Sequence, residues 1–157
     1  MNKITIRQHF PFPSTQNIFI DLKGSKIFSQ IDLAMGFHQI QIAPEDTQKT
    51  AFSINGKKYE YLRLPFGMKN PAFSFQAEMV RLLGHLNYVK IFVDDLLIFS
   101  SNEKEHLSHL TEVLNVLREN SVCINFEKSS FNRKNVKILG QNVSKDGIIA
   151  DLKPIEI

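Results

Sequence analysis

The sequence has no tryptophan, only one cysteine, and no apolar run approaching the roughly twenty residues that span a bilayer. Membrane insertion is therefore not expected. The lone Cys123 cannot close an internal disulfide, and Met1-Asn2-Lys3-Ile4-Thr5 lacks the apolar core of a secretory signal. Together these absences argue against a secreted, disulfide-stapled domain and favour a reducing, intracellular setting. Internal repeats, low-complexity tracts and Gly/Ser linkers are missing too, so nothing marks a domain boundary. What is present is one domain's worth of chain: 157 residues, 43% hydrophobic and 22% charged, with thirteen phenylalanines to fill a core. The formal charge of +3 and pI near 9.0 suit a phosphate-rich partner, but many basic proteins have none, and charge alone does not assign one.

The prolines in His9-Phe10-Pro11-Phe12-Pro13 predict an extended opening, after which Ser14 caps a short helix that Gly24 ends. Ile27 to Asp32 reads as a strand, and Phe37 to Ile42 alternates in the strand manner. Thr50 to Ile54 and Lys57 to Leu62 flank Asn55-Gly56, the signature of a two-residue hairpin. Asn70-Pro71 starts a helix whose face carries Ala72, Phe75, Met79, Leu82 and Leu86. Two apolar strands, Tyr88 to Val93 and Leu96 to Ser100, join at Asp94-Asp95. Asn102 with Glu105 resembles a capping box for a second helix, buried through Leu107, Leu110, Leu114 and Leu117. Val136 to Val143 and Ile148 to Ala150 surround Asp146-Gly147 as a last hairpin. This order predicts an α+β fold, an antiparallel sheet backed by helices on one face.

The sharpest anomaly is Ile91-Phe92-Val93-Asp94-Asp95-Leu96-Leu97-Ile98-Phe99, two adjacent acids inside an apolar stretch. Aspartates are common at hairpin tips, so a purely structural turn is one explanation. The other is a divalent cation, because paired negative charges against an apolar sheet are costly without one. Asp32 also ends a strand-like segment and can sit beside that tip. Three such carboxylates suit Mg²⁺, and two ions about 3.5–4 Å apart hold the attacking and leaving oxygens of a phosphoryl displacement. The acids alone do not separate a polymerase from a nuclease. His106 and His109 share a helix face, but neither a cysteine nor a third histidine completes a zinc site. His38 reads as a strand residue.

Several blocks occur in the order found in one family. They are Phe28-Ser29-Gln30-Ile31-Asp32-Leu33, Gly36-Phe37-His38-Gln39-Ile40, Lys49-Thr50-Ala51-Phe52, Leu64-Pro65-Phe66-Gly67-Met68, Phe75-Gln76, Val93-Asp94-Asp95 and Glu105-His106-Leu107-Ser108-His109-Leu110. From Asn2 to the C-terminus the chain resembles the reverse transcriptases of long-terminal-repeat retrotransposons of the Ty3/gypsy type. The resemblance implies a palm with partial fingers, and an RNA-directed DNA polymerase core that moves a nucleotide from a dNTP to a primer 3′-hydroxyl on an RNA or DNA template. It implies Asp32, Asp94 and Asp95 as catalytic acids binding two Mg²⁺ or Mn²⁺ ions, with the Leu33 carbonyl also touching metal. It implies Phe37, Phe66, Gly67 and Lys128 at the nucleotide, Phe37 excluding a ribose 2′-hydroxyl, and Leu139-Gly140 at the primer grip. For Phe37 and Phe66 the bland alternative is packing, and for Lys128 a solvated surface position.

The chain departs from the family at Asn70-Pro71-Ala72, where the usual pattern is Asn-Ala-Pro, so the proline sits one place early. Residues 1–157 are expected to be a single truncated reverse transcriptase domain, with the N-terminal fingers and most of the thumb lying outside it in a Pol polyprotein. The expected setting is cytoplasmic, in a virus-like particle, or nuclear. A non-catalytic nucleic-acid-binding remnant is the competing reading, and a metal-dependent nuclease a third.

Overall fold

A computed structural model of the chain describes residues 5–6, 20–138, 141–145 and 147–150. Its centre is an antiparallel sheet in the order β4-β5-β1-β6, formed by β1 (Ile27–Leu33), β4 (Val89–Phe92), β5 (Asp95–Ser100) and β6 (Ile124–Arg133). Strands β1 and β5 are central and covered on both faces, so apolar residues of each strand are buried on either side of the sheet. Ile31, Leu33, Ile91, Leu96 and Ile98 point to one face and meet two helices, α1 (Pro71–Leu83) and α2 (Glu103–Glu119), through Phe75, Met79, Leu83, Val113 and Leu117. Phe28, Leu97 and Phe99 point to the other face and pack on Leu22, Val136 and Val143. Val136 and Val143 belong to a small sheet, β7 (Asn135–Ile138), β8 (Gln141–Ser144) and β9 (Gly147–Ala150).

Strands β2 (Phe52–Ile54) and β3 (Lys57–Tyr59) pair about Asn55 and Gly56, at φ 49° and 73°, the left-handed geometry that a two-residue hairpin requires. Helix α1 starts with Pro71 in its first turn, so the displaced proline is accommodated. The side chain of Asn102 accepts a hydrogen bond from the Glu105 N–H (3.0 Å), and Glu105 returns to the Ser101 N–H (3.0 Å).

Four expectations need correction. Phe37 to Ile42 is not a strand: Gly36–Gln39 is a 3₁₀ turn entered at Met35 with φ 52°. Phe37 and Ile40 are three apart, one turn of such a helix, and both pack on the core, so an alternating pattern concealed a helical one. Leu107 is 67% exposed; His106 takes the core-facing place, with Val113 and Leu117 below it. The hairpin between β4 and β5 turns on Val93-Asp94, one residue earlier than Asp94-Asp95, since Phe92 pairs with Asp95. The stretch from Val136 to Val143 is two paired strands rather than one. The predicted start of the first helix at Ser14, the turn residue Asp146 and the Leu139-Gly140 primer grip lie outside the described residues, whereas Gly24 does adopt φ 88° after a helical turn at 20–21.

Candidate active site

Asp32 and Asp95 are directly paired across β1 and β5, so their carboxylates share the sheet face opposite the helices. The small sheet covers this face around Phe28, Leu97 and Phe99, away from the end that carries the acids. On the other side of β1, the register of strand β6 shifts twice, between its pairings with Phe28 and Gln30 and between those with Gln30 and Asp32. Serines satisfy the backbone that these shifts would leave unpaired. The Asp32 N–H donates to Ser129 Oγ (3.1 Å), which donates to the Asn125 carbonyl (2.6 Å), and the Asn132 N–H donates to Ser29 Oγ (3.0 Å).

Asp94 arrives from the hairpin turn. Its carbonyl accepts from the Leu33 N–H (2.8 Å), tying the turn to the end of β1. Its carboxylate lies against Gly36 so closely that a methyl group there would collide with it. Oδ1 is buried and has no hydrogen-bond partner among the described residues. Burial, with the charges of Asp32 and Asp95, raises the Asp94 pKa. Burial also raises that of Asp95, against a hydrogen bond from Gln30 that lowers it, and Asp32 adds repulsion. An uncompensated carboxylate oxygen among like charges is costly, and a cation beside it would offset that cost.

The donor set fits a hard divalent ion. Among the described residues no group of three or more His, Cys, Asp or Glu side chains is arranged to hold a metal ion by itself, so Asp32, Asp94 and Asp95 offer an incomplete, open donor set that water or substrate would have to complete. Mg²⁺ suits an open set, since it keeps several waters and commonly takes one or two carboxylates with substrate phosphate.

The predicted nucleotide residues are partly brought together. Phe37 meets Phe66 edge to face (5.7 Å, 74°) and Phe75 likewise (6.2 Å, 86°), while Phe66 remains 68% exposed. His38, expected on a strand, instead sets its ring edge-on to Phe66 (4.7 Å, 90°). Gly67 adopts φ 82°, a conformation that favours glycine. Lys128 is exposed on β6 and makes no ion pair with the acids. Three residues without a sequence-assigned role bear on the site: Gly36 leaves room for Asp94, Gln30 bonds Asp95, and Gln76 holds the hairpin turn. A polar Gln76 within an apolar helix face was the available signal.

Residues 1–143 match the family described as Reverse transcriptase (RNA-dependent DNA polymerase). The chain is 40% identical over 99% of its length to the retrovirus-related Pol polyprotein from transposon gypsy of Drosophila melanogaster, and 39% identical over 99% to that from transposon opus. It is 32% identical over 94% to the transposon Tf2-3 polyprotein of Schizosaccharomyces pombe. The chain spans 15%, 16% and 11% of those three relatives. Among solved structures, the foamy viral protease-reverse transcriptase in complex with RNA/DNA hybrid superposes with a TM-score of 0.84 at 30% identity, over 95% of this chain and 20% of that one. A foamy viral protease-reverse transcriptase in complex with double-stranded DNA gives a TM-score of 0.85 at 30% identity, over 94% of this chain and 26% of that one.

Proposed function

Since the chain belongs to the reverse transcriptase family, we propose that it carries the nucleotidyl-transfer centre of an RNA-directed DNA polymerase, with Asp32, Asp94 and Asp95 as its catalytic acids. The observation that supports this reading most directly is the convergence of the three carboxylates at one end of the sheet, with Asp94 Oδ1 buried and unpartnered. Asp32 and Asp95 offer oxygens from rigid strands, Asp94 offers one from the turn, and the Leu33 carbonyl completes the donor set. Two Mg²⁺ or Mn²⁺ ions held there would activate the primer 3′-hydroxyl and neutralise the departing pyrophosphate.

The remaining roles fall to side chains around the acids. Phe37 packs against the sugar of the incoming nucleotide and leaves no room for a ribose 2′-hydroxyl, and Phe75 braces its ring from behind. Phe66 and Gly67 line the nucleotide, with Phe66 presenting an exposed ring. Lys128 reaches toward pyrophosphate, and Leu139-Gly140 holds the primer end. The partners are a primed RNA or DNA template and dNTP, consistent with the RNA/DNA hybrid and double-stranded DNA held by the similar solved proteins. Residues 1–157 act as one reverse transcriptase domain within a Pol polyprotein, as in the relatives that it matches along a small share of their length. No helix among the described residues is long and apolar enough to cross a membrane, and the setting proposed is intracellular.

Primer extension on poly-rA with dTTP and Mg²⁺ or Mn²⁺, comparing the chain with Asp94→Asn, tests this reading. Extension that the substitution abolishes supports a polymerase centre. A folded chain that extends nothing but binds primed template identifies a nucleic-acid-binding remnant, and metal-dependent cleavage without incorporation identifies a nuclease.

A further inference from the structure

Gln76 is a polar side chain set in the apolar face of α1, 1% exposed and flanked by the buried Phe75 and Met79. A primary amide in such a place needs partners for both its ends. Both partners are backbone groups of the metal-site hairpin. Nε2 donates to the Ile91 carbonyl (3.1 Å), and Oε1 accepts from the Val93 N–H (2.7 Å). The two bonds straddle Phe92, the last residue of β4, and reach the first residue of the turn.

That turn residue is in an unusual state. Val93 has φ 52°, a region that β-branched residues rarely occupy and that hairpins usually give to glycine or asparagine. A strained backbone persists only where its surroundings over-determine it. Asp94 follows immediately, so the φ of Val93 sets the direction in which Asp94 leaves the turn. Gln76 fixes the peptide that enters Val93, through its N–H, and the Leu33 N–H fixes the peptide that leaves Asp94, through its carbonyl.

We propose that Gln76 is a positioning residue for the cation-binding turn: its side-chain amide holds Val93 in the left-handed conformation that aims the Asp94 carboxylate. The assignment of the turn as a cation site rests on the function proposed above. The clamp itself rests on two hydrogen bonds and one backbone angle. It also explains why an apolar helix face keeps a glutamine where a leucine or methionine would fill the same space.

The role can be separated from simple packing by giving the turn another way to reach its conformation. Mn²⁺ affinity, followed through the free-ion electron paramagnetic resonance signal, is compared in the full chain and in its Gln76→Met, Val93→Gly, Gln76→Met/Val93→Gly and Asp94→Asn variants. Gln76→Met keeps the volume and removes both hydrogen bonds, and it weakens Mn²⁺ binding about tenfold or more, as loss of outer-shell support does at metal sites. Glycine adopts positive φ without steric penalty, so Val93→Gly restores most of that affinity in the Gln76→Met background. A packing role predicts no such rescue. Unchanged affinity in Gln76→Met, or a double variant as weak as Gln76→Met, overturns the proposal.

Hydrogen exchange at the Val93 amide reads the clamp independently of any metal. Slow exchange in the parent that rises about tenfold or more in Gln76→Met supports it, whereas rapid exchange in the parent overturns it. If the parent binds Mn²⁺ no better than Asp94→Asn, the cation reading fails while the amide measurement still decides whether Gln76 holds the turn.

Discussion

Gly36 and Asp94 are far apart in sequence and nearly touching in space. The Asp94 carboxylate occupies the volume that a side chain at Gly36 would need, and Gly36 is buried in the turn that leaves β1. Gly36 has a φ outside the left-handed region, so alanine suits its backbone, and the collision alone decides the outcome. Gly36→Ala therefore pushes the Asp94 carboxylate out of its place while leaving the fold intact. The expected result is a loss of about ten- to a hundredfold in Mn²⁺ affinity at an unchanged circular dichroism spectrum. Wild-type affinity in this variant would mean that Asp94 reaches the cation by another rotamer. The acids themselves were legible from sequence because adjacent charges in an apolar run violate a local rule. Gly36, Gln30 and Gln76 were not, because each acts only through a partner that folding brings to it.

Elements whose logic is local were legible, and elements whose logic is tertiary were displaced. Asn55-Gly56 dictated its hairpin, and Asn70-Pro71 and Asn102 with Glu105 marked their helix starts. The segment after β1 was misread because the same apolar spacing serves a strand and a 3₁₀ turn, and the decision lies with Gln39. Its amide donates to the carbonyls of Ala34 (2.5 Å) and Cys123 (2.9 Å) and accepts from the Cys123 N–H (2.7 Å), anchoring the turn to the start of β6. Helix α2 was placed correctly, and Leu110, Leu114 and Leu117 do pack on the core, but its first core position is polar, His106 in place of Leu107. His106 is 2% exposed, with Nε2 at Ser29 Oγ (2.7 Å) and Nδ1 at Ser100 Oγ (2.9 Å). It joins α2 to the strand that bears Asp32.

A neutral imidazole suits that place. Burial, with the neighbouring His109, lowers the His106 pKa. A histidine whose folded pKa lies below its unfolded value contributes stability above the unfolded pKa near 6.5 and loses it as pH falls through the folded value. Urea unfolding therefore shows stability falling from pH 7.5 to 5.5. In His106→Leu that slope flattens, and stability at pH 7.5 drops by about 1–3 kcal/mol because buried hydroxyls lose their partner. An equal slope in both proteins would place the pH dependence elsewhere.

On the scale of the whole molecule, the two faces of the sheet are covered differently. The α1 and α2 face holds one core, the β7–β9 sheet covers part of the other face, and the acids occupy the end beyond it. Period and order made the α+β arrangement and the helix-backed sheet legible in sequence. The cover over Phe28, Leu97 and Phe99 was not, since nothing local to β7 or β8 says which surface they pack on. Gathering three carboxylates there has a thermodynamic consequence for the fold. The folded pKa values of Asp94 and Asp95 are raised, so their contribution is favourable below the unfolded value near 3.8 and lost as pH rises through the folded values. At neutral pH, without a cation, these acids oppose folding, in the opposite sense to His106. A bound cation removes that opposition. Mn²⁺ at about a hundred times its dissociation constant adds about 2.7 kcal/mol, a rise of roughly 5–10 °C in thermal midpoint for a chain of this size. Asp94→Asn melts above the parent when neither holds metal, because one repelling charge is gone, and gains little from Mn²⁺. Thermal melts at pH 7 with and without Mn²⁺ check both halves. A parent that gains no more than Asp94→Asn would argue that these half-buried carboxylates hold no cation.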